Sequence, residues 1–305
     1  EEEFSKHVGG RHCVAMNSGT SALHLGFMAA GIKAGDEVIV PSFSFAATAN
    51  SVALAGGTPV FGDIDPKTFN LDPDHAESLI TSKTRAIMPV HLYGHIAAMD
   101  RFAEIGKKHG VQIIEDAAQG HLASLQGKNS GEFGTVASFS FYPTKNMTAG
   151  EGGMVVTESA EIARTLRLLR NQGQEIRYRN EIIGFNTRMT DIHAAIGRVQ
   201  LAKLPVWTKQ RQENAAFLDA NIKGVVTPFV APGSTHSYHQ YTIRVPGNNA
   251  EVRDKFMEEL AKRGVGSGVY YPTPIHRLPS FNLKLDPPET EKLVNECISL
   301  PVHPS

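Results

Sequence analysis

From residue 37 to residue 116 the chain alternates between two hydrophobic rhythms. Short apolar runs, EVIVP (37–41), TPVFGDID (58–65), RAIMPVHLYG (85–94) and VQIIED (111–116), have the length and β-branched content of strands. Around them lie segments of helical period at 19–31, 44–55, 73–81 and 97–109. In the last, Met99, Phe102, Ile105 and Gly106 fall on one stripe, and lysines close the segment where the helix dipole favours cations. TVASFSFY (135–142) and GMVVTE (153–158) add two further strands. Strand, helix, strand at this spacing predicts an α/β fold, a mostly parallel central sheet flanked by helices.

Helices dominate next, at 159–171, 190–203 and about 205–222. Thr190 is placed to cap the second, whose Ile192, Ala195, Ile196 and Val199 make an apolar stripe. YTIRV (241–245), a helix over 250–263, VGSGVYY (265–271) and a helix over 289–299 read as a smaller C-terminal α+β domain. The expected division is a large domain over 1–204 and a small one over 205–305. Both ends read as cut. EEEFSKHVGG resembles the last turns of a helix, with Phe4 and Val8 spaced i, i+4, and SLPVHPS stops just after a helix.

Composition narrows the classes. The 305 residues are 41% hydrophobic and 20% charged, with a formal net charge of -1. No broad electrostatic bias points to nucleic acid or an acidic membrane face. No apolar run approaches the ~18 residues of a membrane span, and no signal peptide opens the chain. Cys13 and Cys297 stand far apart and read as reduced core thiols of an intracellular, cytoplasmic protein. No histidine pair has zinc-helix spacing, so no metal is expected. GVGSGVYY follows a helix and precedes a strand, the reverse of a dinucleotide fingerprint. QGKNS imitates a phosphate loop, but Leu122 stands where the loop glycine belongs.

Four features carry chemistry. MNSGTSALHLG (16–26) opens a helix near Thr20 with small hydroxyls, which is a ready anion site and equally a plain cap. In IIEDAAQG (113–120), Asp116 ends a strand at the edge where open α/β sheets bind ligands, and it too reads alone as a cap. Alternation in TVASFSFY puts Ala137, Phe139 and Phe141 on one face and Val136, Ser138, Ser140 and Tyr142 on the other. Lys145 follows in the glycine-rich SFSFYPTKNMTAGEGG (138–153), where a lone lysine is ordinarily solvated. Together an anion-binding helix start, a carboxylate, a hydroxyl and a lysine suit pyridoxal 5′-phosphate (PLP): its phosphate, its ring nitrogen and its aldehyde.

NSGTSALHL, VPSFSFAATANSV, PVFGDID, PVHLYGH, IIEDAAQG, SFSFYPTKNMTAGEGG, GFNTRMTDIHAAIGRVQL and SLPVHPS resemble, in order and over nearly the whole chain, the DegT/DnrJ/StrS family of sugar aminotransferases, of PLP-transferase fold type I. The resemblance implies these roles. Lys145 is the Schiff-base lysine and proton shuttle, and Asp116 pairs with the pyridinium nitrogen. Gln119 lies near the ring hydroxyl, and Phe45 stacks on the ring. Thr20, Ser21 and Ser140 hold the phosphate. Asn186 reaches the phosphate of a neighbouring subunit in a homodimer with shared sites. Arg188 contacts a donor carboxylate and His276 the sugar. Tyr142 stands where the family usually has histidine, and the family's N-terminal segment with its glycine–tryptophan turn is absent from this sequence.

The implied reaction moves an amino group from glutamate to a keto group of a nucleotide-linked sugar, by ping-pong kinetics, in deoxysugar or cell-surface polysaccharide biosynthesis. Lysine, not histidine, at position 145 favours amino transfer over dehydration. The alternatives are a lyase, a desulfurase, an amine-precursor synthase acting on a cyclic ketone, and a non-catalytic PLP-binding regulatory protein. A desulfurase needs a mobile loop cysteine, for which neither Cys13 nor Cys297 is placed.

Overall fold

The computed structural model describes residues 1–304. A short helix α1 (Glu2–Ser5) leads into β1 (His12–Met16), which pattern reading had not marked as a strand. Then follow α2 (Gly19–Ala29), β2 (Glu37–Pro41), α3 (Ala47–Leu54), β3 (Thr58–Gly62), α4 (Pro73–Ser78), β4 (Thr84–Ile87), α5 (Met99–His109), β5 (Gln112–Asp116), β6 (Val136–Ser140), β7 (Gly153–Thr157) and α6 (Ala160–Arg170). The strands form one seven-stranded sheet in the order β1-β7-β6-β5-β4-β2-β3. Only β7 runs against the rest, pairing antiparallel with both β1 and β6. The expected mostly parallel sheet is present.

Both faces of the sheet are covered. Val14, Val38, Val40, Ala86, Ile114, Val136 and Val155 join the apolar side of α2, α3 and α6. Their sequence neighbours, among them Ile39, Ile87, Ile113, Ala137, Phe139 and Val156, face the other way. A strand buried on both faces shows a continuous apolar run, as in EVIVP and VQII. On α5 the buried residues are Met99, Phe102, Ile105 and Gly106, the expected stripe, and Gly110 closes the helix in the left-handed conformation.

The two helices expected at 190–203 and 205–222 are one. Helix α7 runs Asp191–Asn221 through Pro205, capped by the Thr190 hydroxyl. A mid-helix proline costs about 3 kcal/mol. It is outweighed here because both halves are anchored: Leu201 and Leu204 pack on the sheet, while Thr208, Arg211 and Ala215 are buried further along.

The C-terminal region departs from the pattern in two places. Strand β8 (Tyr241–Arg244) pairs antiparallel with β9 (Cys297–Leu300), so helix α9 (Pro288–Glu296) stops three residues before the expected 299. Residues 265–271 form no strand; an isolated bridge joins Gly268 to Ser299 of β9. With α8 (Ala250–Lys262), β8 and β9 enclose a core of Tyr241, Ile243 and Ile298. Among the described residues no helix is long and apolar enough to cross a membrane. Both cysteines are free, and burial pushes each thiol up to about 12.

Candidate active site

The carboxyl ends of β1, β2, β5 and β6 lie at one sheet edge and open on a cavity of about 560 Å³. Each strand delivers a different group. The turn after β1 brings Ser18, Gly19 and Thr20, the start of α2. Ser18 caps that helix, its hydroxyl oxygen accepting from the Ser21 N–H at 3.1 Å, and the remaining first-turn amides are orphan donors. The segment after β2 brings Phe45, Ala47 and Thr48, the one after β5 Ala118 and Gln119, and the one after β6 Tyr142, Thr144 and Lys145. Asp116 and Ser140 are the last residues of their strands.

Two glycines bring the helix start against β6 and β7. A Cβ on Gly19 would lie 2.6 Å from Ser140 Cβ, and one on Gly153 would lie 2.4 Å from the Ser18 carbonyl oxygen. Bare backbone at both positions lets the amides of α2 and the Ser140 hydroxyl share one corner of the cavity.

Asp116 is buried, and both carboxylate oxygens are held. Oδ1 accepts from the Ala118 N–H at 3.1 Å and Oδ2 from the Thr48 hydroxyl at 2.9 Å. Burial raises its pKa; the Ala118 and Thr48 hydrogen bonds and the Lys145 charge oppose that rise without cancelling it. For Lys145 burial lowers the pKa, against the pull of Asp116, which is the direction an attacking amine needs. Gln119 is fixed at both ends: Oε1 accepts from the Tyr93 N–H at 2.6 Å, and Nε2 donates to the Tyr271 hydroxyl at 3.0 Å. Phe45 lines the cavity, 57% exposed, its ring 6.0 Å from that of Tyr271 and tilted 38° to it.

Behind this edge a buried pair braces the β5 end. The Ala97 N–H donates to His91 Nδ1 at 3.2 Å, so the ring proton sits on Nε2 and is donated to Glu115 Oε2 at 2.9 Å. Glu115 also accepts from the amides of Gly131, Phe133 and Gly134. Burial raises its pKa, but His91 and these amides outweigh it and keep the carboxyl below its usual range.

The profile of the DegT/DnrJ/EryC1/StrS aminotransferases matches residues 1–305. The chain belongs to that family. It is 42% identical over its whole length to a pleiotropic regulatory protein of Geobacillus stearothermophilus, covering 83% of that protein. It is 41% identical over 99% of its length to GDP-perosamine synthase of Caulobacter vibrioides, covering 84% of that enzyme. The crystal structure of S. venezuelae DesV in complex with a ketimine intermediate superposes with a TM-score of 0.95, at 40% identity, over 100% of this chain and 83% of DesV. Aminotransferases of this family are PLP-dependent.

Of the residues that the family resemblance marks, Thr20, Phe45, Asp116, Gln119, Ser140 and Lys145 line the one cavity. Ser21 is taken up by the Ser18 cap and does not line it. Asn186 is exposed, bridges Asn171 and does not line this cavity. Arg188 donates to the Asn171 side chain at 2.8 Å and lines a second cavity of about 550 Å³ with Arg167 and Arg198. His276 is fully buried against Phe61 and 3.5 Å from Glu291, off the cavity wall.

Pattern reading missed Thr48, His239, Gln240, Tyr270 and Tyr271, all on the cavity wall. A signal for Thr48 was present: Ser44, Thr48 and Ser51 put hydroxyls on the buried side of a segment where aliphatic groups are expected. The others come from two distant stretches, 239–240 and 270–271, and no local spacing announces them.

Proposed function

We propose that this chain is a PLP-dependent aminotransferase that moves an amino group from an amino acid, glutamate by resemblance, to a keto group of a nucleotide-linked sugar. The reading is carried by Lys145 and Asp116 on the wall of one cavity whose corner is the start of α2 and Ser140. That corner, kept open by Gly19, has the donors a phosphate needs, and the carboxylate and amine stand on the same wall. When bound, the cofactor supplies an electron sink for the carbon that loses its proton. Lys145, its amine favoured as neutral by burial, would be the covalent anchor and, within each half-reaction, would relay the proton between the substrate carbon that bears nitrogen and the carbon of the cofactor bonded to that nitrogen. Asp116, oriented by Ala118 and Thr48, presents a carboxylate to a ring nitrogen. Thr20, Ser140 and the α2 amides bind phosphate, Phe45 covers a ring face, and Gln119 lies beside the ring hydroxyl.

The same reading includes a homodimer. Ile192, Ile196 and Val199 form an apolar stripe on α7 that is exposed in the single chain. Asn186, exposed and not on the wall of its own cavity, is suited to reach the phosphate of a second copy, while Ser21 and Arg188 are further phosphate and donor contacts by resemblance.

The test is spectroscopic first. Purified protein mixed with PLP is expected to gain a visible absorption band that Lys145→Ala lacks. Initial rates with glutamate and a panel of nucleotide-sugar ketones, with a cyclic ketone included, then identify the acceptor and show whether the kinetics are ping-pong. Normal nitrogen transfer by Lys145→Ala overturns the mechanism. A second reading, cofactor binding for regulation without turnover, takes its support from the name of the Geobacillus relative. A visible band without turnover of any ketone favours it.

A further inference from the structure

Lys145 is followed by Asn146, a buried amide with both ends committed. Asn146 Nδ2 donates to the Ser237 carbonyl at 3.2 Å, which orients the amide and turns Oδ1 toward His239 Nδ1, 3.0 Å away. An amide oxygen only accepts, so His239 Nδ1 carries the proton and Nε2 the lone pair. The ring is kept neutral by its surroundings. Burial, then the charges of Lys145, Arg211, His121 and His236, push its pKa well below the ordinary histidine value.

The backbone that carries His239 is pinned from the other side. The Ser237 N–H donates to the Gly94 carbonyl at 2.9 Å, and the Gln240 N–H to the Tyr93 carbonyl at 3.1 Å. Arg211 Nη1 donates to the Tyr238 carbonyl at 3.1 Å. Gly94 approaches so closely that a Cβ there would stand 2.8 Å from the His239 amide nitrogen. The imidazole is therefore a fixed post, and the residue next to the lysine is tied to it.

We propose that His239 is a positioning residue for Lys145: its Nδ1–H locks the Asn146 side chain and so holds the turn that carries the lysine amine into the cavity. The turn is closed by backbone bonds from the Lys145 N–H to the Tyr142 carbonyl and from the Ala149 N–H to the Phe141 carbonyl, each 3.0 Å, and neither involves Asn146. The bond to His239 adds a tether to a segment more than ninety residues further along the chain. Without it the amine samples more positions, and poorly placed reactants lose rate steeply.

This inference rests on the aminotransferase reading, and the experiment separates the two. The full chain is mixed with PLP across pH 6 to 9.5. The visible band is followed, and borohydride reduction with peptide mass spectrometry locates the pyridoxyl group. His239→Leu is expected to slow capture at Lys145 on the order of ten- to a hundredfold and to move its midpoint to higher pH. His239→Asn places an amide N–H where Nδ1 stood and is expected to restore both. Asn146→Ala removes the same bond from the other partner, together with the one to the Ser237 carbonyl, and tests the tether if the leucine variant does not fold. Capture by Asn146→Ala or His239→Leu at the wild-type rate and pH midpoint overturns the proposal, as does failure of His239→Asn to restore them. Absence of any pyridoxyl group on Lys145 in the wild type overturns the aminotransferase reading itself.

Discussion

The Thr48 hydroxyl donates to Asp116 Oδ2 at 2.9 Å while standing 2.8 Å from the Ser44 hydroxyl. A carboxylate only accepts, so the Thr48 proton points at Asp116 and the Ser44 proton points at Thr48. The two hydroxyls hold negative charge in a place where burial disfavours it. Thr48→Val keeps the shape and deletes the donor. A hydrogen bond to a charged group contributes about 1.5–3 kcal/mol, so PLP retention in dialysis is expected to weaken about tenfold or more. Thr48→Ser is expected to recover most of it. Retention in the valine variant equal to wild type counts against Asp116 as the ring-nitrogen partner.

Asp116 also makes the cofactor-free fold less stable. Its raised pKa means that the folded chain keeps a proton where the unfolded chain has lost it. Stability therefore falls as pH rises from the free value of about 3.9 through the raised folded value. Asp116→Asn removes that loss. The lost attraction to Lys145 works the other way, but burial is the larger contribution. In scanning calorimetry the cofactor-free variant is expected to melt above wild type at neutral pH, with the difference fading below about pH 4. A lower Tm at pH 7 contradicts the assigned burial cost.

Gly19 is required by contact, not by backbone angle. An alanine methyl would sit 2.6 Å from Ser140 Cβ and press the helix start off the end of β6. Gly19→Ala is expected to cost about 1–3 kcal/mol of stability and to lower affinity for PLP and for inorganic phosphate together. Isothermal titration with each ligand, beside a thermal melt, distinguishes a closed corner from a general loss of fold. Unchanged phosphate affinity moves the anion site elsewhere.

The stripe on α7 bears on assembly. Ile192, Ile196 and Val199 are 74%, 41% and 58% exposed in the single chain. Ile196→Asp puts a charge into that patch without disturbing the chain's own core. Sedimentation is expected to show a dimer for wild type and a shift toward monomer for the variant, with weaker PLP retention if Asn186 serves the second copy. A wild-type monomer ends the shared-site reading.

Much of the architecture follows from local pattern. The α5 stripe is a periodicity of 3.6, and β2 and β5 are short continuous apolar runs, signals that lie within a few residues of chain. The placing of Asp116 and Ser140 at strand ends was equally local, because a run of β-branched residues has a visible end. Lys145 stands out as the lysine in the glycine-rich turn after such a run.

Other features needed partners far along the chain. Strand β1 was invisible because its identity comes from pairing with β7, some 140 residues away, and not from its own period. Pro205 failed to end α7 because burial on both sides outweighs the missing hydrogen bond. His239 and Tyr271 acquire meaning only from what they touch: an amide and a glutamine in segments with no fixed sequence distance from them. Sequence alone determined most of the strands and helices of the large sheet and which polar groups end them, since those depend on neighbours within a few residues. Tertiary structure decided which of those groups share a cavity, because hydrogen bonds and burial act across space and take no account of chain separation.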